Sequence, residues 1–361
     1  MTRAWLQAFQ ELQRFINGNP SVEITENLVS IDEKARPKFY ELFDRVRGTF
    51  LSEHLSPFLE DATALSTEYL KTERTLIERL RLNGVLMPPE LRRFLENPSD
   101  QISRDLFDPL FELLRENIEP AEFEEIGALS VCSTTSRLYE QAFNKWATLV
   151  LLLALEPEEV FEVPLPEPSS KEVVKHRVGD RMAVPFPFQT NELCFEVKRR
   201  GILMAPDFII RSALLSTYVA FRTEVSRAIW SAAYYPEERE WFDLATMVED
   251  YGPMNLDPDV LLYVDDNLEN IALVADAERF CRPDICVQFP ERISYQNDTW
   301  VEEIKNINLC HIVLKPVAGS CVLARERVID SMANGLIEGI RRFPFGLHHR
   351  QVKPVLDLLR H

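Results

Sequence analysis

At 361 residues, with 46% hydrophobic and 27% charged residues, the chain has the make-up of a folded globular protein, and its length suits two domains. Its formal net charge of −18 excludes a protein that coats nucleic acid with its whole surface, while leaving room for a local basic cleft and for basic partners. The longest apolar run, WATLVLLLAL at 146–155, falls well short of the roughly 20 residues that a membrane-spanning helix needs, so no membrane association is expected.

The first segment, RAWLQAFQELQRFI, sets Trp5, Phe9, Leu12 and Ile16 at helical spacing, and its interrupting Gln and Glu residues do not suit a signal peptide. RPKFYELFDRVRGTFL repeats the pattern with Phe39, Leu42, Phe43, Val46 and Phe50, Pro37 suiting a first turn. STEYLKTERTLIERLRL, closed by Asn83-Gly84, DLFDPLFELLREN and STTSRLYEQAFNKWATLVLLLAL complete a helical set. The last becomes apolar all round and should be the most buried helix.

Residues 156–180 hold four prolines and few helix signals, and read as a linker between a helical domain (1–155) and a mixed α/β domain (181–361). Beyond it, residues 192–212 read as a hairpin turning at Arg199-Arg200-Gly201, and 217–235 as a helix. VLLYVDD and ENIALVADA read as short strands, CHIVLKPV as another, and 324–343 as a final amphipathic helix. The fold class expected is α+β, with a largely antiparallel sheet. Six cysteines without a CxxC pair point to reduced thiols in a cytoplasmic protein rather than to a zinc site.

Chemistry concentrates in RPDICVQFPERISYQNDTWVEEIKN at 282–306. If 283–289 and 299–306 are neighbouring strands, Asp284, Glu303 and Lys305 converge at a sheet edge. Two carboxylates so placed suit Mg²⁺, a hard cation with oxygen ligands, and the lysine could position a water against a phosphodiester. In this pattern the chain resembles the PD-(D/E)XK nuclease superfamily, in which an acid opens one strand and Glu-x-Lys lies in the next. SRLYEQAFNKWATLVLLLAL is similar to the core helix of nuclease subunits in McrBC-type restriction systems, which work with a GTP-driven motor partner. The resemblance implies a restriction-endonuclease-like sheet, a metal-dependent nuclease of a DNA-processing or defence system, a nucleic-acid substrate and a protein partner subunit. It also implies Asp284 and Glu303 as metal ligands, Lys305 as the catalytic lysine and Glu140 as a supporting acid.

Other candidates stand beside plainer readings. Glu196, Lys198 and Asp207 offer the same residue types in reversed order, but a solvated hairpin face explains them better. Asp265 and Asp266 suit a turn cap, His348 and His349 a solvated loop, and the scattered Arg pairs helix and turn charges. No GxGxxG, GxxxxGK[ST], HExxH or GxSxG motif occurs. Two further functions therefore accompany the nuclease: a non-catalytic acidic adaptor that holds protein partners, and a degenerate nuclease fold kept for binding.

Overall fold

The apolar period of the first half becomes helix in the computed structural model, which describes residues 3–25, 28–163, 177–178, 181–182, 186–195, 206–223, 241–243, 256–272, 279–291, 300–347 and 351–360. Helix α1 is Ala4–Asn17, and after a small hairpin (β1 Val22–Ile24, β2 Val29–Ile31) helix α2 runs over Arg36–Leu80. The two helices expected at 36–51 and 66–82 are thus one, carried through Pro57. Strand β3 (Gly84–Leu86), α3 (Pro89–Glu96), α4 (Pro98–Ser103) and α5 (Phe107–Leu114) follow, and then α6, Pro120–Ala154. Asn97 caps α4 by accepting the Asp100 N–H, with Pro98 in its first turn.

The chain divides into two units, residues 1–70, 89–142 and 292–295 in the first and 71–88, 143–291 and 296–361 in the second. This division falls inside α2 and α6 rather than at the proline-rich stretch, whose opening residues Pro157–Glu162 form strand β4. In the first unit Trp5, Phe9 and Leu12 of α1 are buried, as are Phe39, Leu42, Phe43, Val46 and Phe50 of α2. Trp5 packs against Phe123 of α6 with ring centroids 5.2 Å apart, and Phe43 against Phe111 of α5 at 4.8 Å. Each fully buried aromatic of this kind contributes about 2–3 kcal/mol of apolar burial.

The second unit is built on an eight-stranded sheet. After β4 come β5 (Arg177–Val178), β6 (Arg181–Met182), β7 (Phe188–Gln189), β8 (Glu192–Cys194), β9 (Phe208–Ser212), β10 (Thr217–Thr223), β11 (Trp241–Asp243), β12 (Val260–Asp265), β13 (Arg279–Cys281) and β14 (Ile285–Gln288). Helix α7 (Val301–Leu314), β15 (Ser320–Ala324), α8 (Glu326–Met332), β16 (Ile340–Pro344) and α9 (Lys353–Leu358) complete the chain. The sheet order is β16-β15-β14-β12-β10-β9-β4-β7. Its pairings are antiparallel except β14–β15 and β15–β16, which are parallel. The architecture is α+β, with a helical N-terminal region and a mostly antiparallel sheet.

Four local expectations are corrected. Residues 217–223 are strand, not helix, since Thr, Tyr, Val and Phe favour the extended backbone. β8 pairs in parallel with β3, not with β9 as the expected hairpin required; the turn at 199–201 lies outside the described residues. Residues 310–314 belong to α7, and the final helix stops at Met332, leaving 340–344 to β16.

Candidate functional site

Three Pro-Asp pairs open strands of the main sheet: Pro206-Asp207 before β9, Pro258-Asp259 before β12 and Pro283-Asp284 before β14. Proline brings no N–H to the ladder and suits a strand's first position. In all three the aspartate Oδ2 accepts a backbone N–H from the far end of the antiparallel neighbour, at 2.6 Å: Thr223 N to Asp207, Phe289 N to Asp259, Val264 N to Asp284. The register makes these equivalent, each donor lying one residue beyond the position opposite the aspartate. Each carboxylate therefore closes a ladder where a donor would otherwise lose its partner.

Their second oxygens differ. Asp207 Oδ1 accepts from Arg222 at 2.7 Å, in a pair whose side chains are 12% and 13% exposed. Asp259 Oδ1 accepts from Asn144 Nδ2 of α6 at 2.7 Å, and its own N–H donates to Gln288 Oε1 at 3.3 Å. Gln288 is buried, with Nε2 lacking a hydrogen-bond partner, as does Asn144 Oδ1. Just beyond, buried Glu291 lies 3.1 Å from Arg325 Nε, which follows the end of β15. Asn144, Asp259, Gln288, Glu291 and Arg325 thus gather at the carboxyl ends of the parallel strands β14 and β15, where ligand sites of α/β sheets form.

The expected triad is not assembled. Glu303 and Lys305 lie on α7, not on a strand beside β14. Residues two apart on a helix diverge by about 200°, so these two side chains leave different sides. Lys305 Nζ pairs with Glu302 Oε1 at 2.7 Å in water, both side chains well exposed. Asp284 is fixed at the other end of the helix: Pro283 O and Asp284 O accept from Val317 N and Ala318 N, and Arg282 Nε donates to Lys315 O. The N-terminal half of α7 is pinned instead by Asn306, whose Nδ2 donates to Asp257 O at 2.9 Å. Glu303 to Leu314 spans about 16 Å of helix, far too long for Asp284 and Glu303 to share one Mg²⁺.

Among the described residues no other strand pairing supplies the motif. Of the described strands beside the three Pro-Asp strands, TYVAFRT, ICVQ and SCVLA hold neither glutamate nor lysine, and PEEVFE of β4, the other neighbour of β9, holds glutamates but no lysine. Among the described residues no three His, Cys, Asp or Glu side chains are grouped to hold a metal. Glu140 is exposed on α6, in the first unit. Asp265 caps a turn, accepting from Asn267 N at 2.8 Å. Glu196, Lys198, His348 and His349 lie outside the described residues.

Burial dominates the titrating groups here. It pushes the Cys310 thiol up to about 12, with Asp259, Asp257 and Glu303 adding to it against a backbone hydrogen bond at Asp257. Burial likewise raises Cys286, with Cys310 and Asp259 contributing, so these thiols stay protonated and unreactive. His311 of α7, whose Nδ1 lies 2.9 Å from Ser320 Oγ, is held below the usual imidazole range by burial. Gly339, at φ +95°, lets that ring close in; a β-carbon there would meet His311 Nε2 at 2.9 Å. A lowered folded-state pKa means that the unfolded chain binds the proton more readily. Stability from His311 is therefore full above the unfolded pKa and declines as pH falls through about 6.5. The urea midpoint should drop between about pH 7.5 and pH 5.5, and less steeply in His311→Gln.

No protein-family model, curated protein or solved structure matches the chain.

Proposed function

We propose that this chain is a non-catalytic, nuclease-like subunit: an acidic adaptor that holds protein partners rather than cutting nucleic acid itself. The nuclease-like part is supported by Pro258-Asp259, which opens a strand, by β14 lying antiparallel beside it, and by α6 reaching the same aspartate through Asn144. The non-catalytic part is supported by what stands at those positions. Cys286 and Gln288 are neutral and buried where a carboxylate and a lysine would be needed, and the strand-opening aspartates are engaged in closing ladders. The residues present do not fit the Mg²⁺ that the resemblance implies, and no step is assigned to it. The net charge of −18 favours partners with basic surfaces, which it would attract at long range.

The observation that carries this reading is the position of the chain's Glu303-x-Lys305 on helix α7, with Lys305 exposed and paired to Glu302, a helix length from Asp284. Nicking of DNA and RNA substrates with Mg²⁺ and with Mn²⁺ tests it. The wild type should not cut, and Lys305→Ala should leave folding stability within about 0.5 kcal/mol of wild type, as exposed side chains do. Metal-dependent cleavage by the wild type that Glu303→Gln or Lys305→Ala abolishes, in a variant with unchanged thermal unfolding, would restore the nuclease reading.

A further inference from the structure

Three Asn-Gly pairs occur in the chain, Asn17-Gly18, Asn83-Gly84 and Asn334-Gly335, and the fold treats them differently. Asparagine before glycine readily loses its side-chain amide, because glycine has no β-carbon to shield the nitrogen that attacks it. Asn17 is the last residue of α1, and the Gly18 N–H donates to Arg14 O at 3.0 Å. A helical ψ of about −42° turns the asparagine side chain away from the next nitrogen, so no ring closes there. Asn83 donates its N–H to Asn191 O at 2.7 Å, and Gly84 is paired with Glu192 in the β3–β8 ladder. Both of these pairs are fixed in regular backbone.

Asn334-Gly335 lies instead in the turn that leaves α8. Asn334 is exposed, and among the described residues neither its main chain nor its side chain makes a hydrogen bond. The Gly335 nitrogen is held by one bond, to Met332 O at 3.0 Å, just past the end of a seven-residue helix, where fraying opens it. Packing demands glycine here, since a β-carbon would lie 2.8 Å from Ile304 of α7. The same helix clamps the turn: Asn308 Nδ2 donates to Gly335 O at 2.8 Å, and Asn308 Oδ1 accepts from Ile337 N at 3.1 Å.

From this we infer that Asn334 is a modification site, at which the folded chain deamidates to isoaspartate and so becomes a substrate for methylation of the new carboxylate. The Gly335 nitrogen, its proton taken by a solvent base, attacks the Asn334 side-chain carbonyl carbon. The Cγ–Nδ2 bond breaks and ammonia leaves. Water then opens the resulting succinimide at one of its two carbonyls, giving isoaspartate or aspartate, with no oxidant or reductant required. Isoaspartate lengthens the main chain by one methylene immediately before the clamped residues, so Gly335 O and Ile337 N no longer both fit Asn308. This inference is independent of the adaptor reading, since the chemistry needs no partner.

Mass spectrometry of the native full chain, aged in mildly alkaline buffer and then digested with trypsin, tests it. The peptide Val328–Arg341, which carries Asn334, should show the amide-to-acid mass change about ten times faster or more than the peptides carrying Asn17 and Asn83. Labelled methyl groups transferred from S-adenosylmethionine by an isoaspartate methyltransferase should appear in that peptide and be absent from Asn334→Gln. In urea the three sites should convert at comparable rates, because the fold sets their ranking. Isoaspartate-enriched protein should unfold at lower urea than fresh protein, whereas Asn334→Asp, which adds the charge without the methylene, should match fresh protein. Native Asn17 or Asn83 converting as fast as Asn334 overturns the proposal. So does an Asn334 that stays intact in the native chain while the urea-unfolded chain converts, or a Val328–Arg341 peptide that takes up no methyl label.

Discussion

Replacing any of the three strand-opening aspartates by alanine should destabilise the protein, Asp207 most. Asp207→Ala strips a largely buried guanidinium of its partner and the Thr223 N–H and hydroxyl of their acceptor. Breaking a buried pair of this kind costs about 3–5 kcal/mol, because the surviving charge is left without compensation. Asp259→Ala orphans the Phe289 N–H and the Asn144 amide, two donors at about 1–3 kcal/mol each when buried. Asp284→Ala orphans the Val264 N–H, which by itself costs about 1–3 kcal/mol. Urea unfolding of the three variants gives the ranking directly. Were Asp284 reserved for chemistry instead, its removal would leave stability nearly unchanged, since functional groups are often held at a cost to the fold. A flat result for all three would sink the ladder-closing role.

How far the sequence reveals this protein depends on which interactions set each element. The Trp5–Phe9–Leu12 and Phe39–Phe43–Val46–Phe50 rows were legible because one helical face meets one core, and the period alone encodes that. VEEIKNINLCHIVL misled because Ile, Val and Leu are rich enough to read as strand. Yet its buried positions, Ile307, Cys310 and Leu314, recur at helical spacing, and Glu302 and Glu303 in the first turn complement the helix dipole. Weighing that period above composition would have moved Glu303 and Lys305 onto a helix at once. β10 was hidden for the opposite reason: the strand-forming TYVAFRT runs straight into the helix-like AIWSAAYY with no breaker between. The Asn144–Asp259–Gln288 group could not be read at all, because it joins residues more than a hundred positions apart. Its one local signal was a third Pro-Asp pair, in a stretch that looks like loop. A dipeptide repeated three times at strand starts argues for a backbone role before a catalytic one, and the shared 2.6 Å geometry bears that out.

Writing a carboxylate into β14 should not make a nuclease but undo the fold. Cys286 is fully buried, packed with Leu261 and Tyr263 of β12 and with Cys310 and Leu314 of α7. Cys286→Glu would place a longer, ionisable side chain among these apolar groups and protonated thiols. Desolvating a charge there, added to overpacking of a full core, should cost more than about 3 kcal/mol at neutral pH. The sign of its pH dependence follows from burial. The glutamate's folded-state pKa would be raised, so the native state takes up the proton before the unfolded chain does. The difference from wild type should therefore be largest at neutral pH and shrink on acidification toward about pH 4, the range in which an unfolded glutamate titrates. Comparing urea midpoints of variant and wild type at each pH removes the histidine contribution common to both. A pH-independent loss would point to overpacking alone. A variant as stable as wild type that bound Mn²⁺ would mean that this strand can still accept a metal-binding carboxylate, against the reading of the site as closed.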